Sequence, residues 1–266
     1  MNTSTELLHD GELRHSRDAR GVHRITLNSP TTFNALGESM LQNLQQAIAR
    51  VAADVAARVV VLGAEGKAFC AGHNLKEMRA RPELAYYQQL FAQCTRMMLA
   101  LRHLPVPVIA RVQGIATAAG CQLVAQCDLA VAAEGVKFGV NGIDVGLFCA
   151  TPSVPLSRNM QPKQAMEMLV TGGFIDAAEA QRRGLVNRVV VADQLDAGVD
   201  ALVQAILSKP RLALAMGKQL FYQQAEMGIE AAYQLAGQTM ACNMAHPVAQ
   251  EGVQAFIDKR APAWRT

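Results

Sequence analysis

Hydrophobic residues along this chain follow two patterns: short continuous runs, and longer segments in which apolar positions recur every three or four residues. The short runs predict strands, most of them buried, over residues 12–17, 22–27, 59–62, 107–112, 129–132, 136–138 and 186–191. The spaced segments predict helices over residues 37–53, 82–102, 162–170 and 176–183. Because strands alternate with helices, the pattern predicts an α/β fold, and the repeated strand, turn and helix indicate a spiral of similar units.

The last quarter of the chain is helical in pattern throughout. The helical spacing is interrupted at Pro210, Gly228 and Pro247. The sequence therefore predicts two parts, a strand-and-helix core over residues 1–193 and a helical region over residues 194–266.

Residues 139–155 are rich in glycine and proline, which predicts a loop. Loops of this length without structure of their own are often functional. The apolar residues of this segment indicate that it packs against the rest of the molecule.

Residues 106–128 predict a buried strand, a turn of small residues and a helix, with Ala118, Ala119 and Gly120 in the turn. The first N–H groups of a helix have no internal partners and lie at the positive end of its dipole, so such a turn can hold a phosphate or an oxyanion. Two alternatives remain open. One is a degraded G-x-G-x-x-G dinucleotide motif, which would lack its central glycine and have Asp128 too early. The other is a tight helix–strand contact with no ligand.

A second turn follows the strand predicted at residues 59–62. Gly72 marks the turn, and Asn74 is a suitable N-cap for a short helix with Glu77 at its third position. A backbone N–H near His73 is therefore also expected to be free. Two such turns that face each other across a pocket supply the two convergent N–H donors of an oxyanion hole.

Composition and charge narrow the possible partners and the compartment. The chain is 51% hydrophobic and 18% charged, with a net charge of +3 spread along its length, which argues against a nucleic-acid groove but permits anionic small molecules. Six cysteines form no C-x-x-C pair and no zinc spacing, so we expect reduced, buried thiols and no metal site. No targeting signal and no apolar run of about 20 residues is visible. We therefore expect a cytoplasmic protein without a membrane span.

The two turns also carry a family resemblance. The segments AFCAGHNLKEM and PVPVIARVQGIATAAGCQLVAQCDLAVAAE resemble the crotonase superfamily of enoyl-CoA hydratases and isomerases. The likeness continues through NSPTTFNAL, TGGFIDAAEAQRRGLVNRVV and EGVQAFIDKR, and so covers nearly the whole chain. The segment GVKFGVNGIDVGLFCATPSVPLSR is most similar to one branch, the enoyl-CoA hydratase domain-containing protein three type. The resemblance implies a crotonase-like spiral of ββα turns and a helical C-terminal trimerisation region, assembled as a trimer or a dimer of trimers.

The resemblance also implies a substrate and a site. An acyl-CoA thioester would be the substrate, with no separate cofactor, and its carbonyl would lie between the N–H of His73 and the N–H of Ala119. Four further residues fall where the family contacts coenzyme A, the last two often from a neighbouring subunit: Ala71, Lys76, Phe256 and Lys259. The ordinary alternatives are a solvated helix face for the first lysine, a core position for the phenylalanine and a surface charge for the second lysine.

The sequence departs from the family where hydratases use two glutamates to hold water and move a proton. Those positions are Gln122 and Gly142 here, and neither can act as a base at neutral pH. Asp144 or the His73 imidazole are candidate substitutes, with a solvated aspartate and an outward-pointing histidine as the alternatives. Cys149 has no adjacent base and is expected to be an inert thiol. The expected function is therefore an enoyl-CoA hydratase/isomerase family enzyme with modified chemistry, or a catalytically silent acyl-CoA-binding or regulatory protein.

Overall fold

The computed structural model describes residues 5–265, except for the side chains of residues 6–10 and 265. Two β-sheets form the framework of this part of the chain. The strands are β1 Thr5–Asp10, β2 Leu13–Arg17, β3 Val22–Leu27, β4 Val59–Ala64, β5 Ala68–Cys70, β6 Val108–Val112, β7 Ile115–Thr117, β8 Leu129–Ala133, β9 Lys137–Gly139, β10 Ile175–Asp176 and β11 Arg188–Val190. A seven-stranded sheet has the order β1-β2-β3-β4-β6-β8-β11, and a four-stranded sheet has the order β10-β9-β7-β5.

Eleven α-helices connect and cover these strands within the described residues. They are α1 Glu38–Ala53, α2 Leu75–Ala80, α3 Leu84–His103, α4 Ala119–Gln126, α5 Ala150–Asn159, α6 Pro162–Thr171, α7 Ala177–Arg182, α8 Leu195–Leu207, α9 Arg211–Gln224, α10 Ile229–Ala245 and α11 Pro247–Ile257. Among residues 5–265, no helix is both long and apolar enough to cross a membrane.

The chain alternates between the two sheets. β4, β6 and β8 run parallel in the large sheet, and each is followed by a short strand of the small sheet, β5, β7 or β9, which also run parallel to one another. A helical segment then leads to the next pair. This arrangement confirms the spiral of ββα turns. The strands predicted at residues 12–17 and 22–27 form a hairpin, with β2 and β3 antiparallel and Leu13 opposite Leu27.

The hydrophobic core lies between the large sheet and the helices. All six residues of β4 are buried, as expected for a strand covered on both faces. Helix α1 buries one face at helical spacing, which includes Met40, Leu44 and Ile48. Full burial of one such side chain contributes about 1.5–3 kcal/mol to stability, so the apolar face is what holds this helix on the sheet.

The prediction of a loop over residues 139–155 is wrong for its second half. Residues Asn141–Val145 form a short 3-10 helix, and α5 begins at Ala150. Pro152 is tolerated because it lies in the first turn of α5, where backbone N–H groups have no helical partner. Pro155 lies inside the helix and is buried. Local proline content indicates a loop, but both prolines are buried within α5.

The helical C-terminal region begins with α8, two residues after the boundary expected near residue 193. Helix α8 packs on the large sheet through buried residues that include Val199 and Val203. Helix α9 is joined to the core by polar contacts instead. The Lys218 ammonium lies 2.7 Å from Oδ2 of Asp128, and the Tyr222 hydroxyl donates to Oδ1 of the same carboxylate at 2.7 Å. These contacts fix α9 against the core.

Candidate functional site

A cavity of about 320 Å³ lies where the three parallel strands of the small sheet end. The segments that follow β5, β7 and β9 all contribute to its wall, in agreement with the general rule that ligands bind at the carboxyl ends of parallel strands. Its lining is mostly apolar and is made by Ala71, His73, Leu75, Met78, Phe91, Thr117, Ala118, Ala119, Asn141, Gly142, Val145, Leu147, Phe148, Cys149, Ala150, Thr151 and Pro152. An apolar cleft with a few polar groups is the usual form of a small-molecule site.

Two glycines bring the predicted turns into contact. Gly72 has a φ of +93°, and a Cβ on it would lie 2.9 Å from the Ala118 Cβ and 3.2 Å from the Ala119 nitrogen. A Cβ on Gly120 would lie 2.0 Å from the carbonyl oxygen of Cys70. Larger residues would separate the two turns, so both positions require glycine for close approach.

The backbone of the second turn is strained. Ala118 has a φ of +49°, a value that residues with a Cβ seldom adopt. Strain of this kind costs on the order of 1–3 kcal/mol and is concentrated at functional sites. Ala118 directly precedes α4, and the backbone nitrogen of Ala119 lies close to Gly72.

The N–H groups of His73 and Ala119 are both unpaired with protein acceptors in the described part of the chain. Ala119 is the first residue of α4, so its N–H also carries the positive end of the helix dipole. Both residues line the cavity. The structure therefore places both predicted backbone donors in the lining of one cavity.

The His73 side chain is held in one tautomer. Its Nδ1–H donates to the carbonyl oxygen of Leu36 at 3.1 Å, and its ring packs edge-on against Phe91 with 5.3 Å between centroids. Burial lowers the pKa of the imidazole, so the ring is neutral at physiological pH. Its Nε2 is buried without a hydrogen-bond partner among the described residues, which leaves it able to accept a proton or a hydrogen bond.

The two positions of the absent glutamates differ in their surroundings. Gln122 is 4% exposed and is not part of the cavity lining, and its Oε1 has no partner within residues 5–265. Gly142 does line the cavity. A Cβ there would lie 2.5 Å from the Leu147 carbonyl oxygen and 2.9 Å from Sγ of Cys149. The loop itself therefore fills the space that a side chain at position 142 would need.

Asp144 and Cys149 differ in whether they line the cavity. Asp144 is exposed and absent from the lining, and its carboxylate lies beside Gly172, whose ideal Cβ would be 2.7 Å from Oδ1. Cys149 lines the cavity, but burial raises the pKa of its thiol. A protonated thiol is a poor nucleophile, which agrees with the inert role expected for it.

The residues expected to contact coenzyme A are dispersed in the single chain. Ala71 lines the cavity, whereas Lys76 is exposed on the first turn of α2. Phe256 is 86% exposed, so it does not occupy a core position in this chain. Lys259 follows α11 with a φ of +52°. Neither C-terminal residue belongs to the cavity lining, and their contact with a ligand stays a prediction.

Sequence reasoning missed two polar residues of the cavity. Thr117 ends β7 and Asn141 follows β9, and the threonine hydroxyl donates to Oδ1 of the asparagine. The only local signal was the position of Asn141 next to Gly142, in a segment already expected to be functional. Nothing in the local pattern identifies their contact, because 24 positions separate them.

Comparison with known proteins agrees with this fold and site. The family model described as "Enoyl-CoA hydratase/isomerase" matches residues 17–266. The chain belongs to this family. This assignment leaves no support for the dinucleotide-binding alternative considered for residues 106–128, because the family's spiral fold is the one observed.

Individual relatives support the branch suggested by the sequence. The chain is 42% identical over 264 residues to the mitochondrial enoyl-CoA hydratase domain-containing protein 3 of Xenopus laevis, covering 99% of this chain and 90% of that protein. The crystal structure of the human enoyl-CoA hydratase domain-containing protein 3 is similar at 41% identity and a TM-score of 0.91, covering 95% of this chain and 100% of that one. An enoyl-CoA hydratase structure from Mycobacterium smegmatis reaches 60% identity and a TM-score of 0.95, with 97% and 100% covered. The resemblance to this branch is confirmed.

The expectation of a cytoplasmic protein is wrong by this comparison. The Xenopus laevis, Mus musculus and Homo sapiens relatives are all named as mitochondrial proteins. Composition and cysteine content do not separate the cytoplasm from other reducing compartments, which explains the error.

Proposed function

We propose that this protein binds acyl-CoA thioesters in the cavity, with the thioester oxygen between the N–H groups of His73 and Ala119. The observation that carries this proposal is the pair of unpaired backbone donors at one wall of an apolar cleft. A thioester oxygen gains negative charge when a proton leaves the α-carbon or a nucleophile adds at the β-carbon. Fixed donors stabilise that charge more in the transition state than in the ground state, and one donor contributes about 3–4 kcal/mol.

The proposed chemistry is limited by the supply of proton-transfer groups. No Asp or Glu is found in the cavity lining formed by the described residues. The neutral His73 imidazole is the only ionisable side chain there other than the Cys149 thiol. Each general acid or base typically contributes 10²–10⁴-fold to the rate of such a reaction. In this site, the two-glutamate hydration is therefore replaced by a slower hydration or by a different reaction of the polarised thioester.

The absence of carboxylates also favours a second candidate, an acyl-CoA-binding protein without turnover. Such a protein would keep the oxyanion donors as a binding device. The two candidates share the ligand and differ in whether the bound acyl group reacts.

Assembly is part of the proposal. Coenzyme A would be held in part by Phe256 and Lys259, and by Lys76 beside the cavity. The first two are exposed and lie outside the cavity lining of a single chain, which supports their supply by a neighbouring subunit of a trimer or a dimer of trimers.

Calorimetry and a spectroscopic rate assay test the proposal. We expect purified protein to bind crotonyl-CoA and not NAD, and to hydrate crotonyl-CoA slowly when the enone absorbance is followed. Measurable binding with no hydration would select the second candidate. Absence of any acyl-CoA binding would refute both.

A further inference from the structure

The loop between β3 and α1 is hydrogen-bonded to the turn that follows β5. This loop, residues 28–36, is the NSPTTFNAL segment, and it lies outside the cavity lining. Three hydrogen bonds join it to residues 71–73: Ala71 N–H to the Phe33 carbonyl oxygen at 3.0 Å, Leu36 N–H to the Gly72 carbonyl oxygen at 2.7 Å, and His73 Nδ1–H to the Leu36 carbonyl oxygen at 3.1 Å. The loop therefore holds the turn through its backbone and through its histidine ring.

These contacts leave one backbone donor of the turn available to a ligand. The Ala71 N–H is bonded to the loop, and the Gly72 N–H donates to Sγ of Cys70 at 3.4 Å. The His73 N–H has no protein acceptor among the described residues. Buried backbone donors are normally paired, so the one that stays unpaired is the natural partner of a bound acceptor. The loop and the cysteine therefore leave the His73 N–H as the free donor of residues 71–73.

Asn34 fixes this loop to the strand that leads into the turn. Its side chain is 0% exposed and uses its oxygen and both of its N–H donors. Oδ1 accepts from the Ser29 N–H at 2.8 Å, and Nδ2 donates to the carbonyl oxygens of Glu65 and Ala68, each at 2.9 Å. Ala68 is the first residue of β5. Asn34 therefore ties the loop to the strand whose end carries the His73 N–H.

The loop backbone is strained next to this side chain. Phe33 and Asn34 have φ values of +54° and +55°, in the left-handed region, which asparagine tolerates and phenylalanine seldom adopts. The Phe33 ring is 55% exposed, so burial of the ring does not account for the conformation. Strain of this kind persists only where surrounding contacts hold it. Here the contacts of the Asn34 side chain hold it, and the Phe33 carbonyl oxygen accepts from the Ala71 N–H.

We propose that Asn34 is a positioning residue for the oxyanion donor at His73. It lies outside the cavity lining and acts through the loop that is bonded to residues 71–73. This inference rests on the proposed contact between a thioester oxygen and the His73 N–H. Without the Asn34 side chain the loop loses its attachment to β5, and the donor is no longer held at one place. A displaced donor contributes less, because a hydrogen bond weakens steeply with poor geometry.

The test compares two ligands that differ only at the thioester carbonyl. They are butyryl-CoA and S-butyl-CoA, a thioether with a CH2 group in place of the C=O group. By isothermal calorimetry we expect the unaltered protein to bind butyryl-CoA about tenfold more tightly, the effect of a net hydrogen bond. Asn34→Gly removes the side chain but still allows the left-handed backbone, and the preference should fall below about threefold. The Kd of S-butyl-CoA should change less than about twofold, because this ligand makes no hydrogen bond to the donor.

Two further variants separate positioning from a general loss of stability. Asn34→Asp keeps the acceptor for the Ser29 N–H but replaces Nδ2 by an oxygen, which cannot donate to two carbonyl oxygens, so the preference should also be lost. Asn159→Ser is the matched control, because Nδ2 of Asn159 likewise donates to two carbonyl oxygens, those of Ala125 and Pro155, outside the cavity lining. The control should be less stable in urea unfolding and keep the preference of about tenfold.

Hydrogen exchange of the unaltered protein gives a readout that needs no variant. The amides of Ser29, Leu36 and Ala71 donate to three different partners in this arrangement, the Asn34 side chain, the turn and the loop. If one attached loop holds all three, they open as one unit, and their protection factors should agree within about threefold. Widely different protection factors would overturn the role of Asn34, even if its variants do not fold.

The outcomes distinguish failure of this inference from failure of the proposed function. A preference for butyryl-CoA that survives in folded Asn34→Gly or Asn34→Asp would overturn the role of Asn34 and leave thioester binding intact. The same loss of preference in Asn159→Ser would show an effect of lowered stability, which overturns that role as well. If the unaltered protein binds both ligands equally, or neither, the proposed contact at the His73 N–H itself fails, and the inference falls with it.

Discussion

Two histidines outside the cavity form a buried, hydrogen-bonded pair between the sheet and α1. His15 and His23 are both 0% exposed, and His15 Nε2 lies 2.9 Å from His23 Nδ1. His23 Nε2 lies 2.9 Å from Oδ2 of Asp54, so its N–H donates to the carboxylate and its Nδ1 accepts from His15. Burial, followed by repulsion from His23, lowers the pKa of His15 from 6.5 to about 4.

This buried histidine pair predicts that the free energy of unfolding falls in mild acid. In the unfolded protein His15 binds a proton below pH 6.5, whereas in the folded protein it does so only near pH 4, so stability falls as the pH drops through that interval. We expect the loss from His15 to be about 2 kcal/mol between about pH 7 and pH 5, measured by urea unfolding.

The variant His15→Gln should show a smaller loss over the same interval, because the titrating group is absent. His103→Gln is the matched control, since His103 is exposed at the end of α3. The same pH dependence in the unaltered protein and in His15→Gln would contradict the assignment.

A second prediction at the residue scale concerns Gln122 and Gly142, which stand where hydratases of the family have two glutamates. Gln122→Glu with Gly142→Glu should raise the rate of crotonyl-CoA hydration roughly 10²-fold or more, if proton transfer is what the site lacks. The new side chain at position 142 must displace the Leu147 carbonyl, so the loop has to shift.

Gln122→Glu with Gly142→Ala is the matched control, because it meets the same carbonyl without supplying the second carboxylate. Stopped-flow measurement of the enone absorbance gives both rates. If the control is as fast as the double glutamate variant, the second carboxylate is not the missing element.

At the scale of elements, the site depends on how closely α4 approaches β5. The ideal Cβ of Gly120 would lie 2.0 Å from a backbone oxygen, which cannot move away as a flexible side chain can. The helix therefore reaches this strand only because residue 120 is glycine. Its first N–H, that of Ala119, is positioned by the same contact.

Gly120→Ala should therefore destabilise the fold by about 1–3 kcal/mol and weaken crotonyl-CoA binding, since overpacking displaces the helix. Chemical unfolding and calorimetry measure the two effects. Gly217→Ala is the matched control, because Gly217 lies in α9 with nothing within 4 Å of its ideal Cβ. That variant should be neutral or more stable by about 0.5–1 kcal/mol. Equal stabilities of the two variants would show that the contact at Gly120 is not tight.

Elements with strong local patterns could be predicted from the sequence. Helix α1 has the predicted extent and buried face, and Asn74 caps α2 by accepting from the N–H groups of Lys76 and Glu77. Strands β5 and β7 are not among the predicted strands, since three residues give little periodicity to detect, although the equally short β9 overlaps the predicted run 136–138.

The candidate site follows the same division. Small residues and an N-cap are local signals, so the turns at His73 and Ala119 can be predicted from the sequence. The pairing of Thr117 with Asn141, the occlusion of Gly142 by Leu147 and the placement of Asp144 beside Gly172 depend on tertiary contacts. Such contacts are not encoded in neighbouring residues.

At the scale of the whole molecule, the C-terminal helices expose more apolar surface than a single chain accounts for. Helix α9 buries no residue fully, and α10 and α11 bury only Ala232 and Ala255. Large apolar side chains on these helices are exposed to between 64% and 86%: Phe221, Ile229, Tyr233, Met240, Phe256 and Ile257. Large apolar side chains exposed in such number on neighbouring helices are typical of a protein–protein interface.

We therefore predict that the protein forms a trimer or a dimer of trimers in solution. Burial of these side chains between subunits removes apolar area from water, which is the main favourable term in association. Light scattering coupled to size-exclusion chromatography gives the mass directly. A monomer at micromolar concentration would contradict the prediction.

The vibration of a bound thioester carbonyl tests the central claim most directly, because backbone donors cannot be removed by ordinary substitution. Two N–H groups that polarise the C=O bond weaken it and lower its stretching frequency. We predict that butyryl-CoA isotopically labelled at the thioester carbonyl absorbs at lower frequency on the protein than in water, in isotope-edited difference infrared spectra. Displacement by excess unlabelled butyryl-CoA should remove the shifted band. A bound carbonyl that absorbs at the frequency found in water, or above it, would contradict an oxyanion hole at His73 and Ala119.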